Sequence, residues 1–136
     1  MSNEVTGRCL CGAVKLIAHH HDVNVGACHC HMCRRWGGGP LIAIDCGTDV
    51  GIEGKEDVRV FDSSAWAERG FCKDCGTHLF YRLKESGQYF IPAGLFDEDP
   101  QLTFDNQVFI DEKPDYYEFA NKTRNLTGKE VFERYS

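Results

Sequence analysis

Apolar and polar positions alternate in short runs along most of the chain. "GAVKLIA", beginning at Gly12, has the two-residue period of a half-buried strand. "LIAIDC" over 41–46 and "VRVF" over 58–61 read as further strands. "HLFYRL" and "QYFIPAG" flank "KESG", whose glycine supplies the freedom that a tight reversal needs, so a hairpin is expected there. Strands spaced by Gly- and Asp-rich turns predict a mostly β, antiparallel domain. Helix is scarce. A turn of helix is expected near Met32 to Trp36, and the tail "LTGKEVFERYS" carries a capping box, Thr127 with Glu130 three residues on, that predicts a short C-terminal helix. "FDEDPQLTFDNQVFIDEKPDYYEF" is acidic and punctuated by proline, which predicts a meandering surface segment. The aromatic side chains Phe104, Phe109, Tyr116, Tyr117, Phe119, Phe132 and Tyr135 are expected to pack the core or cover a sheet face, with an oligomer interface as the alternative.

Composition bounds this picture. The 136 residues show no linker and no repeat, so one domain over 1–136 is expected, with 42% apolar residues to fill its core. A formal charge of −6 does not suit a phosphate backbone, so a nucleic-acid partner is not expected. The start "MSNEVTGRC" lacks the basic and apolar regions of a signal peptide, and no run reaches a membrane-spanning length. A cytoplasmic chain with no membrane partner is therefore expected, which makes the sequons at Asn121 and Asn125 incidental. In that compartment eight cysteines point to metal or catalysis before disulfides.

The cysteines fall into groups. Cys9 and Cys11 form C-x-C, and "CKDCG" places Cys72 and Cys75 in a C-x2-C turn ending in glycine. Together they supply the four soft ligands of a closed, structural zinc site. A thioredoxin-like redox pair would open a helix in a βαβ setting, whereas "GTHLFYRL" follows here. "CHCHMC" holds Cys28, Cys30 and Cys33, one thiolate short of saturating a second zinc, which is the pattern of a catalytic metal with an open position. His29, His31 or Cys46 can close it, and the two groups can exchange partners; Cys46 reads more simply as a small buried hydrophobe. Three thiolates make a weak Lewis acid, so thiol chemistry suits such a site better than hydrolysis. Arg34 and Arg35 are candidates to pair with a substrate carboxylate, Trp36 offers an apolar wall, and "GGG" at 37–39 allows close backbone approach. "HHH" at 19–21 reads as a solvated loop.

"GRCLCGAVKL", "CHCHMCRRWGGGP" and "RGFCKDCGTHLFYR", in this order and spacing, resemble the glutathione-dependent formaldehyde-activating enzyme family, which shares its domain with centromere protein V. The resemblance spans roughly residues 5 to 96. It implies a tent-like fold of twisted antiparallel sheets with two zinc ions. Cys9, Cys11, Cys72 and Cys75 match the structural ligands, and Cys28, Cys30 and Cys33 match the site linked with catalysis. The family's named reaction joins glutathione and formaldehyde as S-hydroxymethylglutathione, formally a carbon–sulfur lyase in reverse. The resemblance thus implies a small-molecule thiol and an aldehyde as partners. His29, His31 and His78 are candidates to move the proton, and Lys73 joins the arginines as a candidate for binding glutathione. A zinc-stabilised binding module or scaffold is the alternative, with zinc storage or transfer as a third reading.

Overall fold

The computed structural model of the protein describes residues 4–97 and 101–135. In chain order its elements are β1 (Val5–Arg8), β2 (Lys15–Ala18), β3 (Asn24–Cys28), α1 (His31–Gly37), β4 (Leu41–Asp45), β5 (Val50–Glu53), β6 (Val58–Phe61), β7 (Ala67–Cys72), β8 (His78–Leu83), β9 (Tyr89–Pro92), β10 (Thr103–Val108), β11 (Arg124–Leu126) and α2 (Gly128–Tyr135). The chain is mostly β, with a short C-terminal helix, as its patterning predicts. Contacts gather these elements into two compact units interleaved along the sequence, 1–22 with 44–101 and 23–43 with 102–136.

The first unit is antiparallel. β2 pairs with β1 and β5, and its alternation is that of the sequence: Leu16 and Ala18 are fully buried while Lys15 and Ile17 are half-buried. β6, β7, β8 and β9 form a meander of neighbouring antiparallel pairs. The reversal between β8 and β9 is the expected hairpin, closed by the Leu83 N–H on the Gln88 carbonyl at 2.9 Å. Ile44, Leu79 and Ile91 are fully buried, each adding about 1.5–3 kcal/mol through removal of apolar surface from water. β7, "AERGFC", escaped the hydrophobic pattern because its polar positions are held by partners: Glu68 accepts from Arg82 on β8 at 3.1 Å.

The second unit departs from the antiparallel expectation. β10 runs parallel to both β3 and β11. Parallel neighbours need long connections, and residues 109–123 between β10 and β11 supply one. The acidic segment expected to meander on the surface therefore contains a strand, and Gln107 within it is buried. α1 stands where a turn of helix was expected. It stops at Gly38, which takes the left-handed conformation (φ 84°) and donates its N–H to the Arg34 carbonyl at 2.7 Å. α2 opens with the expected capping box: Glu130 accepts from the Thr127 N–H at 2.9 Å, and Thr127 Oγ1 from the Glu130 N–H at 3.2 Å. Among the described residues no helix is long and apolar enough to cross a membrane.

Candidate metal centre

In the first unit the strand ends bring four sulfurs together. Cys9 and Cys11 follow β1, Cys72 ends β7, and Cys75 lies in the turn before β8. Their Sγ atoms all lie within 4.8 Å of one another, with Cys9 to Cys11 at 3.6 Å and Cys11 to Cys72 at 3.8 Å. Tetrahedral zinc with Zn–S bonds of about 2.3 Å spaces its sulfurs at about 3.8 Å, so this set fits that ion. The turn closes because Gly76 adopts φ 74° and its N–H reaches the Cys72 carbonyl at 2.8 Å. Hydrogen bonds from the Thr77 hydroxyl and N–H bring the Cys75 thiol down to about 5. For Cys11 the Ala13 N–H pulls down, but the neighbouring Cys9 sulfur and burial prevail and push the thiol up to about 12. A cluster that cannot ionise every sulfur by itself is one that a divalent cation stabilises.

The second unit holds the trio. Cys28 ends β3, Cys30 is the N-cap of α1, and Cys33 lies on its first turn, where the Cys33 N–H donates to the Cys30 sulfur at 3.3 Å. The three Sγ atoms lie within 4.8 Å of one another, and among the described residues no fourth His, Cys, Asp or Glu joins them at that distance. The Cys30 and Cys33 sulfurs, then burial, push the Cys28 thiol far up. This is the response of a third sulfur crowded against two others, and a cation reverses it.

The histidines of this stretch have other engagements. His29 is fully buried and bonded at both ring nitrogens, Nδ1 to Tyr117 Oη and Nε2 to Gln107 Oε1, each at 2.8 Å. Burial lowers its pKa, and the Lys113 and Arg34 charges add to that. His31 accepts from Arg34 Nη2 at Nδ1 (2.9 Å), with Nε2 3.6 Å from the Glu112 carboxylate. Glu112 also caps the start of α1, accepting the His31 N–H at 3.0 Å. Arg34 Nε donates to the His29 carbonyl at 2.9 Å, so this side chain bends back and braces the loop. Arg35 is exposed and Trp36 half-buried.

Other candidates lie elsewhere. Cys46 is fully buried in the first unit, outside both sulfur groups. His78, on β8 of the first unit, is held low by burial and by Arg69. Lys73 pairs with Asp57 at 3.4 Å in that unit. Of the histidine run, His19 Nδ1 meets Glu4 Oε2 at 2.8 Å and His21 Nδ1 donates to the Asp22 carbonyl at 2.7 Å. "GGG" ends a helix: a Cβ added at Gly37, Gly38 or Gly39 meets nothing within 4 Å.

The sequence profile described as "Glutathione-dependent formaldehyde-activating enzyme" matches residues 4–112, which include both sulfur clusters. The chain belongs to this family. An uncharacterized lyase of Schizosaccharomyces pombe is 43% identical over 131 residues, covering 96% of both chains. A Halomonas elongata protein, provisionally named a glutathione-dependent formaldehyde-activating enzyme, is 25% identical over 130 residues, 88% of this chain and 83% of its own. A crystal structure of a Rhodobacter sphaeroides protein shares the fold, with a TM-score of 0.56 and 23% identity over 68% of this chain and 87% of that one. The family profile stops at Glu112, so Tyr117, Thr123 and Asn125 lie beyond it.

Sequence reading missed Gln107, Glu112 and Tyr117. None carries a motif. Nor does "FDNQV" betray the burial of Gln107, since Asp105 and Asn106 beside it are polar too.

Proposed function

We propose that the chain is a zinc-dependent enzyme of the carbon–sulfur lyase type, handling adducts of a small thiol with an aldehyde, such as glutathione with formaldehyde. The observation that carries this is the trio of Cys28, Cys30 and Cys33, held within 4.8 Å with no fourth protein ligand among the described residues. Family membership and a lyase-named relative support it. In this reading Cys9, Cys11, Cys72 and Cys75 hold a structural zinc, and the trio holds the zinc at which reaction occurs.

Zinc at the trio favours the thiolate form of an incoming thiol over the thiol itself. The remaining work falls to the chain. Arg34 ties the His29 carbonyl to His31 and keeps the Cys28–Cys33 loop wound. Arg35 and Trp36, one exposed and one half-buried on α1, stand as contacts for the carboxylates and the body of the thiol. In the reaction the thiol sulfur bonds to the aldehyde carbon, the C=O π pair becomes a hydroxyl, and the thiol's proton ends on that oxygen. The reverse breaks the C–S bond and returns both reactants. Because this addition proceeds unaided in water, holding the partners together is the main contribution required.

Exchange NMR of glutathione and formaldehyde, with and without zinc-loaded protein, tests the reading. Wild type is expected to raise interconversion at least about tenfold, a modest barrier reduction. Cys33→Ala is expected to abolish the gain and to lower bound zinc from two ions to one. An unchanged rate with wild type removes the activity and leaves a zinc-stabilised binding module.

A further inference from the structure

Beside the trio, a line of hydrogen bonds joins Tyr117, His29, Gln107, Thr123 and Asn125, and its direction can be read from the far end. The Thr123 hydroxyl donates to Asn125 Oδ1 at 2.6 Å, so its oxygen is left to accept from Gln107 Nε2 at 2.9 Å. That fixes the Gln107 amide with Oε1 toward His29. An amide oxygen only accepts, so His29 Nε2 carries the hydrogen. The ring is fully buried, with a phenol and an amide oxygen rather than a carboxylate at its two nitrogens, so it carries one hydrogen: Nδ1 is then an acceptor, and Tyr117 Oη donates to it. With its hydrogen committed inward, the Tyr117 oxygen has lone pairs to offer and no proton.

Tyr117 is also well held and well placed. It is half-buried, its ring lies 5.5 Å from that of His29, and Lys113 Nζ sits 5.3 Å from its centroid. His29 is the covalent neighbour of Cys28 and is itself fully buried. The phenol rather than the imidazole is therefore the end of the line that a small molecule can meet. Tyr117 Oη thus lies one hydrogen bond of 2.8 Å from the residue that stands between Cys28 and Cys30 in the chain.

We propose that Tyr117 contacts the substrate, accepting a hydrogen bond from the hydroxyl of a hydroxymethyl–thiol adduct whose sulfur lies at the trio. This rests on the thiol–aldehyde reading above. It makes Tyr117 a specificity residue: the site distinguishes an adduct that carries a hydroxyl one carbon from sulfur from a thiol or thioether that carries none.

Zinc-loaded full-length protein provides the test. Tyr117→Phe keeps the ring and removes the acceptor. It is expected to bind glutathione as wild type does and to lose about tenfold in affinity for S-hydroxymethylglutathione, the scale of one hydrogen bond. On wild type, S-methylglutathione, which lacks the hydroxyl, is expected to bind about tenfold more weakly than the adduct. Nitrogen-15 NMR of the His29 ring is expected to show the Nε2–H tautomer. An unchanged adduct affinity in the variant, an equal loss for glutathione and adduct, equal wild-type binding of the adduct and S-methylglutathione, or an Nδ1–H tautomer each overturns the proposal. Should wild type bind no glutathione at all, the thiol–aldehyde reading itself falls, and that failure is visible before any variant is made.

Discussion

Cys46 sits fully buried just past the end of β4, its thiol directed at the Ile44 carbonyl at 3.6 Å. Burial, with the Asp45 charge beside it, pushes that thiol up to about 12 from an ordinary 9.0. The fold therefore favours the neutral thiol. Its contribution is complete below pH 9.0 and is lost as pH rises from there toward about 12. Native protein is expected to leave Cys46 unmodified by a thiol reagent at neutral pH, with modification appearing only on unfolding; mass spectrometry of the labelled residue reads this out. Urea denaturation across the same range is expected to show the stability advantage of wild type over Cys46→Ala shrinking as the pH climbs. The same side chain in the "CKDCG" turn has the opposite character, since Thr77 and backbone N–H groups stabilise the Cys75 thiolate. Residue type is shared; surroundings decide the chemistry.

Among the elements, α2 offers the most direct test. Its first turn is secured by the reciprocal bonds of Thr127 and Glu130, and the Gly128 N–H adds a bond to Asp111 Oδ1 at 2.8 Å. Thr127→Ala is expected to cost about 1 kcal/mol in urea denaturation, the usual loss for an N-cap hydroxyl. This helix was legible in the sequence because a capping box is local chemistry, complete within four residues. The hairpin at 84–88 was legible for the same reason. β10 was not. The acidic segment around it reads as surface, and its parallel place between β3 and β11 makes a strand of it. The register of that pairing sets Val108 opposite Cys28 and Gln107 opposite Ala27, which brings Gln107 to the His29 ring. Cysteine spacing thus revealed both sulfur clusters, while the residues behind the trio come from a pairing more than seventy positions away in the chain.

Across the whole molecule, each sulfur cluster belongs to a different unit, the set of four to the first and the trio to the second. Among the described residues, the buried ones of the second unit are few and partly polar, namely Val25, Ala27, His29, Cys30, Cys33, Gln107 and Gly128. With so little apolar surface buried, a metal held there would contribute folding free energy directly. Hydrogen exchange is expected to separate the two. Cys75→Ser should deprotect amides of the first unit, and Cys33→Ser those of β3, β10 and β11. Uniform deprotection in both variants would show instead that the chain opens as one cooperative body.

The interleaving of the two units has a consequence during synthesis. The nascent chain displays Cys9, Cys11, Cys28, Cys30 and Cys33 before Cys72 and Cys75 have been translated, and β10 emerges later still. Metal reaching the ribosome-bound chain would meet five sulfurs while the set of four is still incomplete. Its eventual distribution would then depend on how readily early, mismatched coordination is released as Cys72 and Cys75 arrive.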